Sequence, residues 1–101
     1  MGIAHELITR GWHQGHREGP DGSVCLMGAA WKASGIENPL EYSRSTVGQY
    51  QNVALRQAIM VNSHFIGASI VSEWNDDPAR TYDEVLRVAK MADEILDQQN
   101  G

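Results

Sequence analysis

Apolar positions recur at helical spacing along most of this chain, and the polar residues between them mark where each helix starts and stops. The clearest case lies near the end. Val85, Val88, Ala89, Ala92, Ile95 and Leu96 stand three and four residues apart, with Asp, Glu, Arg and Lys between them. That pattern predicts an amphipathic helix with one buried face. Thr81 and Glu84 form its capping box: the hydroxyl accepts from an early backbone N–H, and the carboxylate reaches back to the amide of Thr81. Ahead of the cap runs a polar lead-in, Trp74-Asn75-Asp76-Asp77-Pro78-Ala79-Arg80.

Three more helical stretches precede it. Ile3 to Arg10 places Ile3, Leu7 and Ile8 on one side and meets Gly11, a natural terminator. The most apolar run, Val24 to Trp31, leads to Gly35 as its stop. Its small residues Gly28, Ala29 and Ala30 let another backbone approach closely. Asn38, Pro39 and Glu41 then supply a cap, a first-turn proline and a first-turn acid. Thr46 with Gln49 offers a second capping box, so either one helix bends here or a short turn precedes a longer helix. From Val47 onward, Tyr50, Val53, Ala54, Ala58, Val61 and Phe65 line one face, and Leu55, Ile59 and Ile66 another. A helix apolar on two sides is normally surrounded.

The connections read differently. Gly19-Pro20-Asp21-Gly22 is a turn by composition, and it predicts a hairpin pairing Trp12–Gln14 with Ser23–Cys25. Residues 68–74 look extended by the alternation of Ile70 and Trp74 with Ser69, Val71 and Glu73. The expected fold is therefore mainly all-α: a compact four-helix single domain over residues 1–101, with an irregular or β-hairpin excursion near residues 12–25.

Composition and charge narrow the functional classes. At 101 residues the chain suits one modest core. No run approaches the roughly 18 apolar residues of a membrane span. The first residues lack the features of a signal peptide, and Glu6 breaks the myristoylation pattern that Gly2 would open. A single cysteine, Cys25, permits no internal disulfide and fits a reducing cytoplasm. The net charge is −5, and its placement is uneven. In residues 1–72, Glu6, Glu18, Asp21, Glu37 and Glu41 balance Arg10, Arg17, Lys32, Arg44 and Arg56. Beyond them, Glu73, Asp76, Asp77, Asp83, Glu84, Asp93, Glu94 and Asp97 outnumber Arg80, Arg87 and Lys90. Phosphate backbones repel such a surface, so direct nucleic-acid binding is not expected.

Two short signatures carry a family resemblance. Gly11-Trp12, a turn with Asp21-Gly22, and Cys25-Leu26-Met27-Gly28-Ala29 make the first. Trp74-Asn75-Asp76 with Pro78, Arg80-Thr81 and Val85-Leu86 makes the second. Together they resemble a small domain family of unknown function in actinobacteria and their bacteriophages. The resemblance implies such an origin and brings no reaction, cofactor or catalytic residue with it. His13 and His16 lie outside its pattern.

Three groups of residues are candidates for chemistry or recognition. His13, His16 and Cys25 offer zinc-type donors, with His5 or His64 as a fourth, although their spacing matches no zinc signature. Cys25 with His13 or His16 is also a nucleophile–base pairing for a thiol enzyme. Trp74, Asn75, Asp76, Asp77 and Arg80 form the densest polar cluster. It reads either as a recognition loop with the indole as anchor, or as turn chemistry that sets up the last helix. Finally, the acidic last helix with Asp93, Glu94 and Asp97 could act as a nucleic-acid decoy, although such faces are usually only solvated. No phosphate loop is present. The expected function is thus a non-enzymatic, cytoplasmic interaction module that needs no cofactor. It binds a host protein or itself, as a bacteriophage accessory protein would.

Overall fold

In the computed structural model, residues 2–63 and 70–100 are described. They form six helices: α1 (Ile3–Arg10), α2 (Leu26–Ser34), α3 (Pro39–Arg44), α4 (Thr46–Asn62), α5 (Ile70–Asp76) and α6 (Tyr82–Asn100). The mainly all-α expectation holds, with two helices beyond the four anticipated. α4 packs most extensively on α6, while α1 bridges α2 and α6. The core comprises Ile3, Leu7, Val24, Leu26, Leu55, Ile59, Trp74, Val85 and Val88, interleaved with fully buried alanines.

The last helix starts as its capping box dictates. Thr81 N–H donates to Glu84 Oε1 at 2.9 Å, and Glu84 N–H donates to Thr81 Oγ1 at 3.3 Å. Val85, Val88, Ala89 and Ala92 are buried, with Ile95 and Leu96 partly so. α1 has no side-chain cap of its own. Its first N–H groups, those of Ile3 and Ala4, donate instead to the two oxygens of Asp93 on α6, at 2.9 and 3.0 Å. A carboxylate at a helix N-terminus satisfies orphan donors and complements the dipole. Ile8, expected inward, is exposed.

α2 realises the close approach that its small residues allow. A Cβ on Gly28 would run into the carbonyl oxygen of Arg17, and that carbonyl also accepts from Cys25 N–H at 3.2 Å. Gly35 ends α2 in the left-handed region, at φ 76°. The bend-or-turn question at residues 39–47 resolves into two helices separated by Ser45 in extended backbone. Asn38 caps α3 as expected. The second cap is Ser45 rather than Thr46: its Oγ accepts from Gly48 N–H at 2.9 Å, and Thr46 is already helical.

Three further expectations are corrected. Residues 70–76 are helical, because Val71, Trp74 and Asn75 bury at spacings of three and four while Ser72 and Glu73 face out. Residues 68 and 69 lie outside the described residues. The excursion at 12–25 is no two-stranded hairpin of the expected register. Trp12 bridges Val24 in parallel, and Glu18 bridges Val24 antiparallel. The turn itself is where composition places it, with Gly22 N–H donating to Gly19 C=O at 3.0 Å. It joins residues 17–19, not Trp12–Gln14, to Ser23–Cys25, and the first segment lies on the other side of Val24. The third correction concerns α4, which is covered on one side only. Ala54, Leu55, Ala58 and Ile59 are buried, whereas Val47, Tyr50, Val53, Met60 and Val61 are 45 to 71% exposed. Phe65 and Ile66 lie outside the described residues.

Candidate functional site

The polar cluster at residues 74–80 is held together from within the chain. Trp74 and Asn75 are both 1% exposed. Asn75 Oδ1 accepts from Trp12 Nε1 at 2.9 Å and from Leu26 N–H at 3.2 Å. Its amide nitrogen donates to the His13 carbonyl at 3.3 Å and to Asp76 Oδ1 at 2.9 Å. One side chain thus joins the 12–15 loop, the start of α2 and the end of α5. Asp76 adds an acceptor for Gly15 N–H at 2.9 Å. Gln14 donates to the carbonyls of Asn75 and Asp77, each at 2.9 Å.

Arg80 completes the joint on its other side. Its guanidinium lies 4.0 Å from the Trp74 ring centroid, a stacking contact that a planar delocalised cation makes well. Its Nε donates to the Trp74 carbonyl at 2.8 Å, and its terminal nitrogens approach Glu84 at 3.3 Å and Asp77 at 3.7 Å. Asp77 Oδ1 accepts from Ala79 N–H, the side-chain turn that its residue type favours. Of the five cluster residues, Asp76 is exposed, and Asp77 and Arg80 are partly exposed.

The histidines and the cysteine are neighbours. The rings of His13 and His16 lie 5.9 Å apart, and His13 Nε2 is buried without a hydrogen-bond partner among the described residues. His16, Cys25 and Asp76 line one small cleft of about 180 Å³. Cys25 Sγ, however, serves as the N-cap of α2, accepting from Gly28 N–H at 3.3 Å. Burial pushes its thiol above the ordinary value, and the charge of Asp76 adds to the shift. A thiol in that setting stays protonated near neutrality and is a poor nucleophile or ligand. Among the described residues no group of three or more His, Cys, Asp or Glu is disposed to hold a metal ion. His5 is exposed on α1, and His64 lies outside the described residues.

The acidic end of α6 is less uniform than its sequence. Asp93 turns onto α1, whereas Glu94 and Asp97 stay exposed. Beside them opens a cleft of about 550 Å³ between α1, α4 and α6, edged by Val47 and Tyr50. A second cleft of about 460 Å³ lies on the opposite flank of α4 and is lined by Arg17, Met27, Tyr42 and Asn52. Burial pushes the Tyr42 hydroxyl up to about 12, and it donates to Gln51 Oε1 at 2.7 Å. The exposed stripe of α4 runs between the two clefts. The sequence alone conceals this surface, because an arc that is apolar on two sides reads as wholly internal. The available signal was the set of polar residues Gln49, Arg56 and Gln57 that interrupt the apolar pattern of α4 and are exposed.

The fold and these sites define a small mainly helical domain whose most elaborate polar cluster is a joint between elements. No described helix is long and apolar enough to cross a membrane. Over residues 2–94 the chain matches a family model described as a family of unknown function, DUF6197, and it belongs to that family. Comparison with curated proteins and with solved structures gives no match.

Proposed function

We propose that this domain acts by binding another protein through the outer face of α4. The observation that carries the reading is the row of exposed apolar side chains Val47, Tyr50, Val53, Met60 and Val61 on one helix. Isolated apolar residues at a surface are ordinary, but five on the outer side of one helix favour a contact surface. Asp76 and Asp77, the outer members of the Trp74–Arg80 cluster, form a second contact surface in this reading. The finer version, a bacteriophage accessory protein that modulates a host protein, rests on the family resemblance of the two sequence signatures.

The test combines affinity capture from a host lysate with sedimentation of the purified chain over a range of concentrations. Capture or self-association that disappears in Val53→Asp and Val61→Asp, with the far-UV circular dichroism unchanged, supports the proposal. A lone monomer in both experiments overturns it.

A further inference from the structure

The bare face of α4 allows a more specific statement, which rests on the binding role proposed above. Thr46, Tyr50, Val53, Gln57 and Met60 are exposed and stand four, three, four and three residues apart. Val47 and Val61 are exposed beside the two ends of that row. An alternation of three and four keeps one line of side chains on one side of a helix, the spacing by which two helices pack along their length. Here the line runs from the first turn of α4 to its last.

Charge and area narrow what can cover it. α4 carries one charged side chain, Arg56, and no acid lies between Glu41 and Glu73 in the sequence. The chain as a whole has a net charge of −5, so two copies repel each other least where these acid-free faces meet. A basic partner finds no carboxylate on α4 to pair with, and an anionic one is repelled by the rest of the chain. At 45 to 71% exposure, the five apolar side chains leave roughly 500 Å² uncovered per copy, so two such faces hide on the order of 1,000 Å², the lower bound of a specific interface.

We propose that a second copy of this chain covers the face, docked α4 to α4 in antiparallel as a weak two-fold pair. The order of side chains along the row is complementary to its own reverse. With the two-fold axis beside Val53, Val47 meets Met60 of the second copy, Thr46 meets Val61, and the Tyr50 hydroxyl meets the Gln57 amide. The same contacts recur on the other side of the axis, as a two-fold interface requires. A parallel pair would instead set each residue against itself and align the two helix dipoles, which is less favourable.

Sedimentation equilibrium of the full chain tests the pair, and cross-linking tests its register. The mass should rise from one copy toward two, with half-association on the order of 100 μM, as a small interface gives. Val53→Asp sets two carboxylates together at the axis and should weaken association at least about tenfold. Under mild oxidation, a mixture of Val47→Cys and Met60→Cys should yield a disulfide-linked dimer, and neither variant alone should do so. A single mass at every concentration, or cross-linking within each variant alone, overturns the antiparallel pair. Capture of a different protein that is lost in Val53→Asp, by a chain that stays single, overturns the pair and leaves the α4 reading standing. Association indifferent to Val53→Asp overturns both.

Discussion

The indole N–H of Trp12 donates to Asn75 Oδ1 across 2.9 Å, joining two residues 63 positions apart. The same oxygen accepts from Leu26 N–H, so one buried amide closes the loop at residues 12–15 onto both α2 and α5. Polar groups out of reach of water are costly unless paired, and this one pairs three segments at once.

Asn75→Ala is the sharpest test of that joint. It leaves the Trp12 indole and the Leu26 amide without their acceptor, at roughly 1–3 kcal/mol for each buried donor. The expected loss is about 2–4 kcal/mol in urea unfolding, with Trp12 fluorescence reporting the loosened loop. A loss within error of zero would show that the joint carries no stability.

Gly28→Ala tests the close approach of Arg17 to α2. Helix propensity alone favours alanine by about 1 kcal/mol. The blocked carbonyl reverses the sign, and overpacking of this kind costs about 1–3 kcal/mol. Thermal unfolding of the variant should therefore occur below, not above, that of the parent chain.

Acid sensitivity follows from the capping box. Hydrogen bonds from the Thr81 backbone and side chain hold Glu84 below its ordinary value of 4.5. A folded-state value lower than the unfolded one gives stability that is present above about 4.5 and is lost as pH falls through the lowered value. Glu84→Gln should flatten the stability profile in that window, whereas Thr81→Ala, which keeps the backbone N–H and loses only the hydroxyl, should flatten it in part. Because Glu84 is solvent-accessible, the effect is small and best read as a difference from the parent profile.

Cys25 should label slowly. With its thiol buried and shifted upward, reaction with a chromogenic disulfide near neutral pH should be at least about tenfold slower than for a free thiol, and should become fast in denaturant. Rapid labelling of the folded chain would revive a thiol enzyme built on Cys25 with His13 or His16.

Local features were legible where a few adjacent residues settle the matter. The Thr81–Glu84 box, the Asn38 cap, the Gly35 stop and the turn at residues 19–22 each depend on chemistry within four positions. Ser45 displaced Thr46 as a cap because both have the same chemistry one residue apart, and the break in the backbone chose between them. The helix at Ile70–Asp76 was hidden because over so short a run Ile70 and Trp74, set against Ser69, Val71 and Glu73, also fit an alternating reading. The candidate site at Trp74–Arg80 was visible as a cluster, but the partners of Asn75 lie 49 and 63 residues away and leave no local trace.

What the sequence determined by itself is the set of helices that announce their ends, the mainly α class and the acid-rich final third, because these follow from side-chain periodicity and nearest-neighbour hydrogen bonding. Tertiary structure decided which flank of α4 is left bare, that Asp93 caps a helix 90 residues earlier, and that Asn75 is the pin of the fold. Those outcomes depend on which surfaces remain after packing, and packing is a property of the whole chain rather than of any stretch within it.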